Sequence, residues 1–174
     1  MKINKCALNF IMVLLILPLS SCKSSPNADS VDIDLTISQY NDYDLEQDAK
    51  EPVYLSDDLY IYDSLYFSEN EEKIDKEDKL NLHLLFNNTT EYDVLGDYFF
   101  ELEYYGSDDN WYCVPPTDYF FMEMGIIYPK GEYSENYKLS DINYDFQKGK
   151  YRIIRKVCIE KYNGDCLVVY YFNL

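Results

Sequence analysis

From residue 53 to the end, apolar residues recur at every second position in short runs. Turn residues break each run before it reaches the length of a helix. A period of two puts alternate side chains on opposite faces, which is the pattern of a half-buried strand. "LYIYDSLYF" (59–67) reads as one extended, Tyr-rich strand, and "KLNLHLLF" (79–86) as another. In "EYDVLGDYFFELEYY", Tyr92, Val94, Tyr98, Phe100, Leu102 and Tyr104 share one parity. Glu101 and Glu103 fall on the other. Gly96 interrupts this run and predicts a bulge or bend. "WYCV" (111–114) is stopped by Pro115-Pro116. The 20 Tyr and 9 Phe favour strands, and no 3.6-period stretch follows the first 21 residues. An all-β sandwich or barrel of short antiparallel strands is the expected fold class.

The last 27 residues carry the sharpest local expectation. Asn163-Gly164 is the strongest short signal for a two-residue hairpin turn. Such a turn pairs Ile159 with Val168, Val157 with Tyr170 and Arg155 with Phe172. Tyr151, Ile153, Val157 and Ile159 then share a face with Val168, Tyr170, Phe172 and Leu174. Cys158 and Cys166 project to opposite faces, so no bridge between them is expected. The same stretch holds the basic run Lys148, Lys150, Arg152, Arg155 and Lys156. On this register Lys150, Arg152 and Lys156 point away from the core. Arg155 shares the apolar parity, and either snorkels from a sheet edge or is displaced by a bulge. Neighbouring acidic strands are expected to neutralise the run. The chain's formal net charge of -17 opposes a nucleic-acid partner.

Residues for other chemistry are few. Five Cys are present, none spaced C-x-x-C, so a zinc site is not expected. Cys113, Cys158 and Cys166 can form at most one internal bond, and Cys113 shares the parity of Trp111, as a small core residue would. His83 is the sole histidine, placed by parity on the outer face of its strand. Adjacent acids such as Asp57-Asp58 and Asp108-Asp109 sit in polar turns, without the cleft placement that a glycosidase pair needs. No nucleophile elbow, phosphate loop or twelve-residue calcium loop occurs. Neither a cofactor nor a metal is expected.

The N-terminus sets the location. Lys2 and Lys5 precede an apolar run from Ala7 to Leu19, as in a secretory signal. The run is too short for a comfortable permanent span of about 30 Å. Leu19-Ser20-Ser21-Cys22 resembles the bacterial lipobox, which implies cleavage after residue 21 and acylation of Cys22. Loss of the two lysines deepens the charge to -19. The expected organisation is a lipoprotein signal over 1–21, a largely disordered acidic tether over 22–52 and one domain over 53–174. "VDIDLTI" in the tether can form a strand. The expected location is extracytoplasmic, with the protein held at the cell membrane by lipid on Cys22.

Tyr151 follows "KLSDINYDFQKGK", the layout of a tyrosine corner, in which the hydroxyl bonds backbone a few residues upstream. Residues 79–174 resemble a family of bacterial immunoglobulin-like domains found in extracytoplasmic proteins and lipoproteins. The resemblance rests on "LNLHLLFNNTTEY", "GDYFFELE", "WYCVPP", a Pro/Gly turn before "YKLSD", "GKYRIIRK" and a last strand ending in Phe. Lys130 inside "PKGE" and Lys148 before Gly149 depart from its turn pattern. The resemblance implies an immunoglobulin-like antiparallel sandwich of about 7–9 strands, with residues 59–67 as its first strand. It assigns Trp111 to the core and Tyr151 to the corner, and brings no catalytic residues. The leading functional expectation is a non-catalytic binding, adhesion or scaffold module for an extracellular protein or glycan. The alternative is an inhibitor or immunity-type lipoprotein that binds a basic extracellular enzyme. An enzyme using surface carboxylates is the third reading.

Overall fold

The architecture comes from a computed structural model, in which residues 36–46, 50–71, 78–114 and 125–174 are described. The signal peptide, Cys22 and the tether as far as residue 35 lie outside the described residues.

Among the described residues, twelve strands run in chain order. They are β1 (Thr36–Ile37), β2 (Val53–Tyr54), β3 (Leu59–Ile61), β4 (Leu65–Glu69), β5 (Asn81–Asn88) and β6 (Val94–Gly96). β7 (Glu101–Tyr105), β8 (Trp111–Cys113), β9 (Ile126–Tyr128), β10 (Gly131–Lys138), β11 (Lys150–Ile159) and β12 (Asp165–Asn173) follow. A 3₁₀ turn, Leu139–Asp141, lies between β10 and β11. The large sheet has the order β1-β8-β7-β11-β12-β3-β2, with β6 on the end of β11 and β9 on β6. The small sheet is β10-β5-β4. The expected fold class therefore holds: two sheets pack as an immunoglobulin-like sandwich. One pair, β12 with β3, is parallel.

The core between the sheets follows the period-two pattern. Leu84 and Phe86 of β5 and Tyr137 of β10 meet Leu102, Tyr151, Ile153, Val157, Val168 and Phe172 from the large sheet. Ring pairs such as Phe86–Tyr128, with centroids 4.9 Å apart, fill the gap edge to face.

Four expectations change. The single strand over 59–67 is two, because the chain turns at Tyr62, whose carbonyl accepts from Leu65 N–H at 2.9 Å. The halves join different sheets, which helps raise the strand count above nine. The final hairpin is shifted by four residues, with Val157 opposite Cys166 rather than Tyr170. Its Asn163-Gly164 corner docks instead on the loop before β3. Asp165 N–H donates to the Asp58 carbonyl at 2.8 Å, and Asn163 donates to the Asp57 carbonyl at 3.1 Å. Gly164, at φ +92°, leaves no space for a Cβ beside the Asp58 carbonyl. Cys158 and Ile159 leave β12 and pair with Leu95 and Val94. A shift of four preserves parity, so the predicted faces along this hairpin stand, and Cys158 and Cys166 are not bridged.

The third change concerns the tether. Residues 36–46 pack on the outer face of the large sheet. Tyr40 and Leu45 are buried there against Ile61, Ile154 and Leu167. This strap belongs to the compact unit that runs from Leu35 to Leu174. The fourth concerns Trp111, which is buried but on this outer face and not between the sheets. Its ring lies against Tyr105 and Tyr171. Cys113, on the same face of β8, is half-buried and outside the core.

Candidate functional site

The basic run divides into two buried arginines and a lysine fringe. Arg152 lies opposite Glu103 on the neighbouring strand. Parity points it outward as expected, yet it is 1% exposed, because the strap covers that face. Its Nε donates to Glu103 Oε2 at 2.6 Å, and its guanidinium stacks 4.1 Å from the Trp111 ring centroid. Ser38 Oγ donates to the other Glu103 oxygen at 2.5 Å. Tyr40 Oη donates to Glu101 at 3.0 Å, and Asn41 accepts from Trp111 N–H at 2.8 Å. Lys150 pairs with Glu46 at 2.8 Å, and Lys156 lies 3.5 Å from Glu101.

Arg155 neither snorkels nor sits on a bulge. It stays in register, 1% exposed, and points between the sheets. It pairs with Glu135 of the small sheet and donates to the Asp97 carbonyl and to Tyr128 Oη at 2.6 Å. Tyr137 Oη donates to the second Glu135 oxygen at 2.5 Å. Burial works against the guanidinium charge, but Tyr137, Glu135 and Tyr128 outweigh it and hold the pKa above the usual value. Burial pushes the Tyr128 phenol up to about 12. Gly96 makes room for this group: a Cβ there would stand 3.1 Å from Val157 and 3.5 Å from Arg155 Nη2. These groups pair with one another inside the fold, with Arg155 Nε alone among them lacking a hydrogen-bond partner, and the guanidinium is shielded from solvent.

Tyr151 Oη donates to the Gln147 carbonyl at 2.9 Å and accepts from Gln147 N–H at 3.1 Å. This ties the corner to the strand that follows it. Its ring stacks on Phe172, centroids 5.6 Å apart.

His83 lines an open cleft of about 530 Å³ with Glu69, Asp78, Lys79, Tyr170 and Asn173. Tyr170 Oη donates to Glu69 at 2.9 Å. No Ser, Thr or Cys is among the described residues lining this cleft. Burial, followed by the Glu103 charge, pushes the Cys113 thiol up to about 11, and burial raises Cys166 as well. Thiols shifted this way are poor nucleophiles. Among the described residues no three His, Cys, Asp or Glu side chains are grouped to hold a metal ion.

A different surface stands out, and parity alone did not reveal it. Among the described residues, nine large apolar side chains are exposed, and five of them are Tyr92, Leu95, Tyr98, Phe99 and Ile127. Leu95 lies between Cys158 of β11 and Ile127 of β9. These three form one rung across three strands, on the side away from buried Val94, Tyr128 and Ile159. Ile127 is 63% exposed and Leu95 43%. The signal in the sequence was "VLG" beside "GIIY": each run has an apolar residue too many for a sheet with one dry face.

A two-sheet β-sandwich with its outer face partly open, a hydrogen-bonded tyrosine at a corner and no assembled catalytic group is an immunoglobulin-like module by architecture. The model of the bacterial Ig-like domain matches residues 63–167, more than half of the chain, and the protein belongs to that family. The matched region begins after the strap and β1–β3. No curated protein and no solved structure matches the chain.

Proposed function

We propose that the protein is a lipid-anchored, extracytoplasmic, non-catalytic module that binds another macromolecule at the cell surface. The observation that carries this reading is the adjacent pair of exposed apolar side chains, Leu95 and Ile127, on the outer face of a bacterial Ig-like domain. Exposed apolar side chains that adjoin across strands are the kind of surface through which domains contact partners. Exposed tyrosines add rigid contact area at low entropic cost. The lipobox-like "LSSC" supports Cys22 as the anchor.

Membrane fractionation with intact mass measurement tests the anchor. The wild-type chain is expected in the membrane fraction, cleaved before Cys22 and heavier by its acyl chains. Cys22→Ser is expected to be released or left uncleaved. A wild-type chain recovered unacylated would overturn the anchor. Crosslinking on intact cells tests the binding role, with reproducible capture of a defined macromolecule expected. Its absence across crosslinkers of several lengths would overturn that role.

An inhibitor of a basic extracellular enzyme remains the second reading, favoured by the net charge of -17. Complementary fields speed such encounters and make them salt-dependent.

A further inference from the structure

We infer that the uncovered end of the outer face, the exposed cross-strand pair Leu95 and Ile127, docks a basic, apolar-bearing segment of a partner protein. The inference rests on the binding role proposed above and names the partner's chemistry.

The outer face of the large sheet is continuous from Ile154 on β11 toward Cys158 and across to β6 and β9. At the Ile154 end the chain supplies its own cover, with Tyr40 and Leu45 sealing Ile154 and Leu167. At the β6–β9 end the described residues supply none, and Leu95 and Ile127 face water. The covered end carries an apolar group, Ile154 and Leu167, beside its ion pair, and the open end presents Leu95 and Ile127 without such a cover.

Charge sets the kind of cover. Asp93 and Asp97 lie immediately before and after β6, so the chain through Leu95 reads acid–apolar–acid, and the Asp97 carboxylate also accepts from Phe99 N–H at 2.8 Å. Neither acid makes an ion pair with a described lysine or arginine. The lysines nearby are engaged elsewhere. Lys130 pairs with Glu91 at 2.8 Å, Lys156 lies 3.5 Å from Glu101, and Lys161 sits over the Tyr92 ring at 4.8 Å. A partner that places apolar side chains on the rung and cations beside the two aspartates would match both features. The net charge of -17 would steer such a segment inward.

The test uses the purified full chain and three synthetic peptides of equal length: alternating Lys and Leu, alternating Lys and Ser, and alternating Glu and Leu. Affinity is read by anisotropy, and the contact surface by amide chemical shifts. The Lys–Leu peptide is expected to bind and to shift Leu95, Ile127 and Cys158. Leu95→Asp with Ile127→Asp is expected to weaken it at least tenfold without changing the melting temperature. Asp93→Asn with Asp97→Asn is expected to weaken it severalfold and flatten its salt dependence. Equal binding of the Lys–Ser peptide would overturn the apolar half of the inference. Equal binding of the Glu–Leu peptide would overturn the charged half. Shifts that map elsewhere would overturn both. Concentration-dependent shifts at the same residues without peptide would replace the partner with a second copy of this chain. On cells, capture that survives Leu95→Asp with Ile127→Asp leaves the binding role standing and removes this surface. Loss of capture in the wild type removes the role itself.

Discussion

The two ends of one sheet face receive opposite treatment. Under the strap, the outward side chains of β7 and β11 include Glu103, Arg152 and Ile154, all at most 1% exposed. At the β6–β9 end, the outward side chains include Leu95 and Ile127, both open to water. The strap end is the more polar in sequence and the drier in structure. Eleven residues from outside the matched family region produce that inversion, through an apolar pair, Tyr40 and Leu45, and a hydroxyl that caps Glu103. An outward-facing charge is therefore no guide to solvent until the neighbouring segment is placed.

The largest test of this contrast removes one partner of the buried pair. Arg152→Ala is expected to cost about 3–5 kcal/mol in urea unfolding, because Glu103 is left charged and dry. Arg152→Met with Glu103→Leu is expected to cost far less, since no charge stays behind. If the single and double variants are equally destabilised, the strap end is not as dry as described.

Tyr40→Ala is expected to cost about 3 kcal/mol, the scale of an aromatic truncation in a packed core. Thiol labelling of half-buried Cys113 should speed up in the same variant, as the cover above β8 loosens. An unchanged labelling rate would uncouple the strap from that thiol.

Alkaline pH tests the buried acids of both clusters. Cys113 is raised to about 11 by burial and the Glu103 charge, and Tyr128 to about 12 by burial. The folded state therefore holds protons that the unfolded chain releases near its ordinary pKa values. The stability from these groups is complete below about pH 9 and is lost as pH rises toward 11–12. Melting temperatures should fall across that window, and phenolate absorbance should show buried tyrosines ionising only with unfolding. A flat profile from pH 8 to 11 would contradict the burial.

The smallest effect belongs to the open end. Ile127→Ser is expected to change stability by less than about 0.5 kcal/mol, since an exposed side chain loses little on truncation. A loss of 2 kcal/mol or more would mean that this end is covered too.

Much of the fold was legible because strand parity is a local property. Leu84, Phe86, Leu102, Ile153 and Val168 entered the core as their alternation required. Parity also survived the hairpin error, since a slip of four residues returns every side chain to its face. The slip itself was illegible. Asn163-Gly164 specifies a tight turn locally, but the backbone groups of Asp57 and Asp58 bind that corner from about a hundred residues away. Arg155 shows the same limit. Its apolar parity was read correctly, while its partner Glu135 lies on the other sheet, and no spacing along the chain connects them.

By itself, the sequence determined the all-β class and the parity along most strands, because a period of two acts over a few residues, while the break at Tyr62 and the face of Trp111 were not fixed by it. Only the tertiary structure decided what lies beyond each face: a second sheet over Arg155, a strap over Arg152, and water over Leu95 and Ile127. Burial depends on which distant segment arrives to cover a surface, and that is a property of the assembled chain. The run "KYRIIRK" carries both outcomes in one strand, with lysines at its two ends held near surface carboxylates and two arginines sealed on opposite faces of the same sheet.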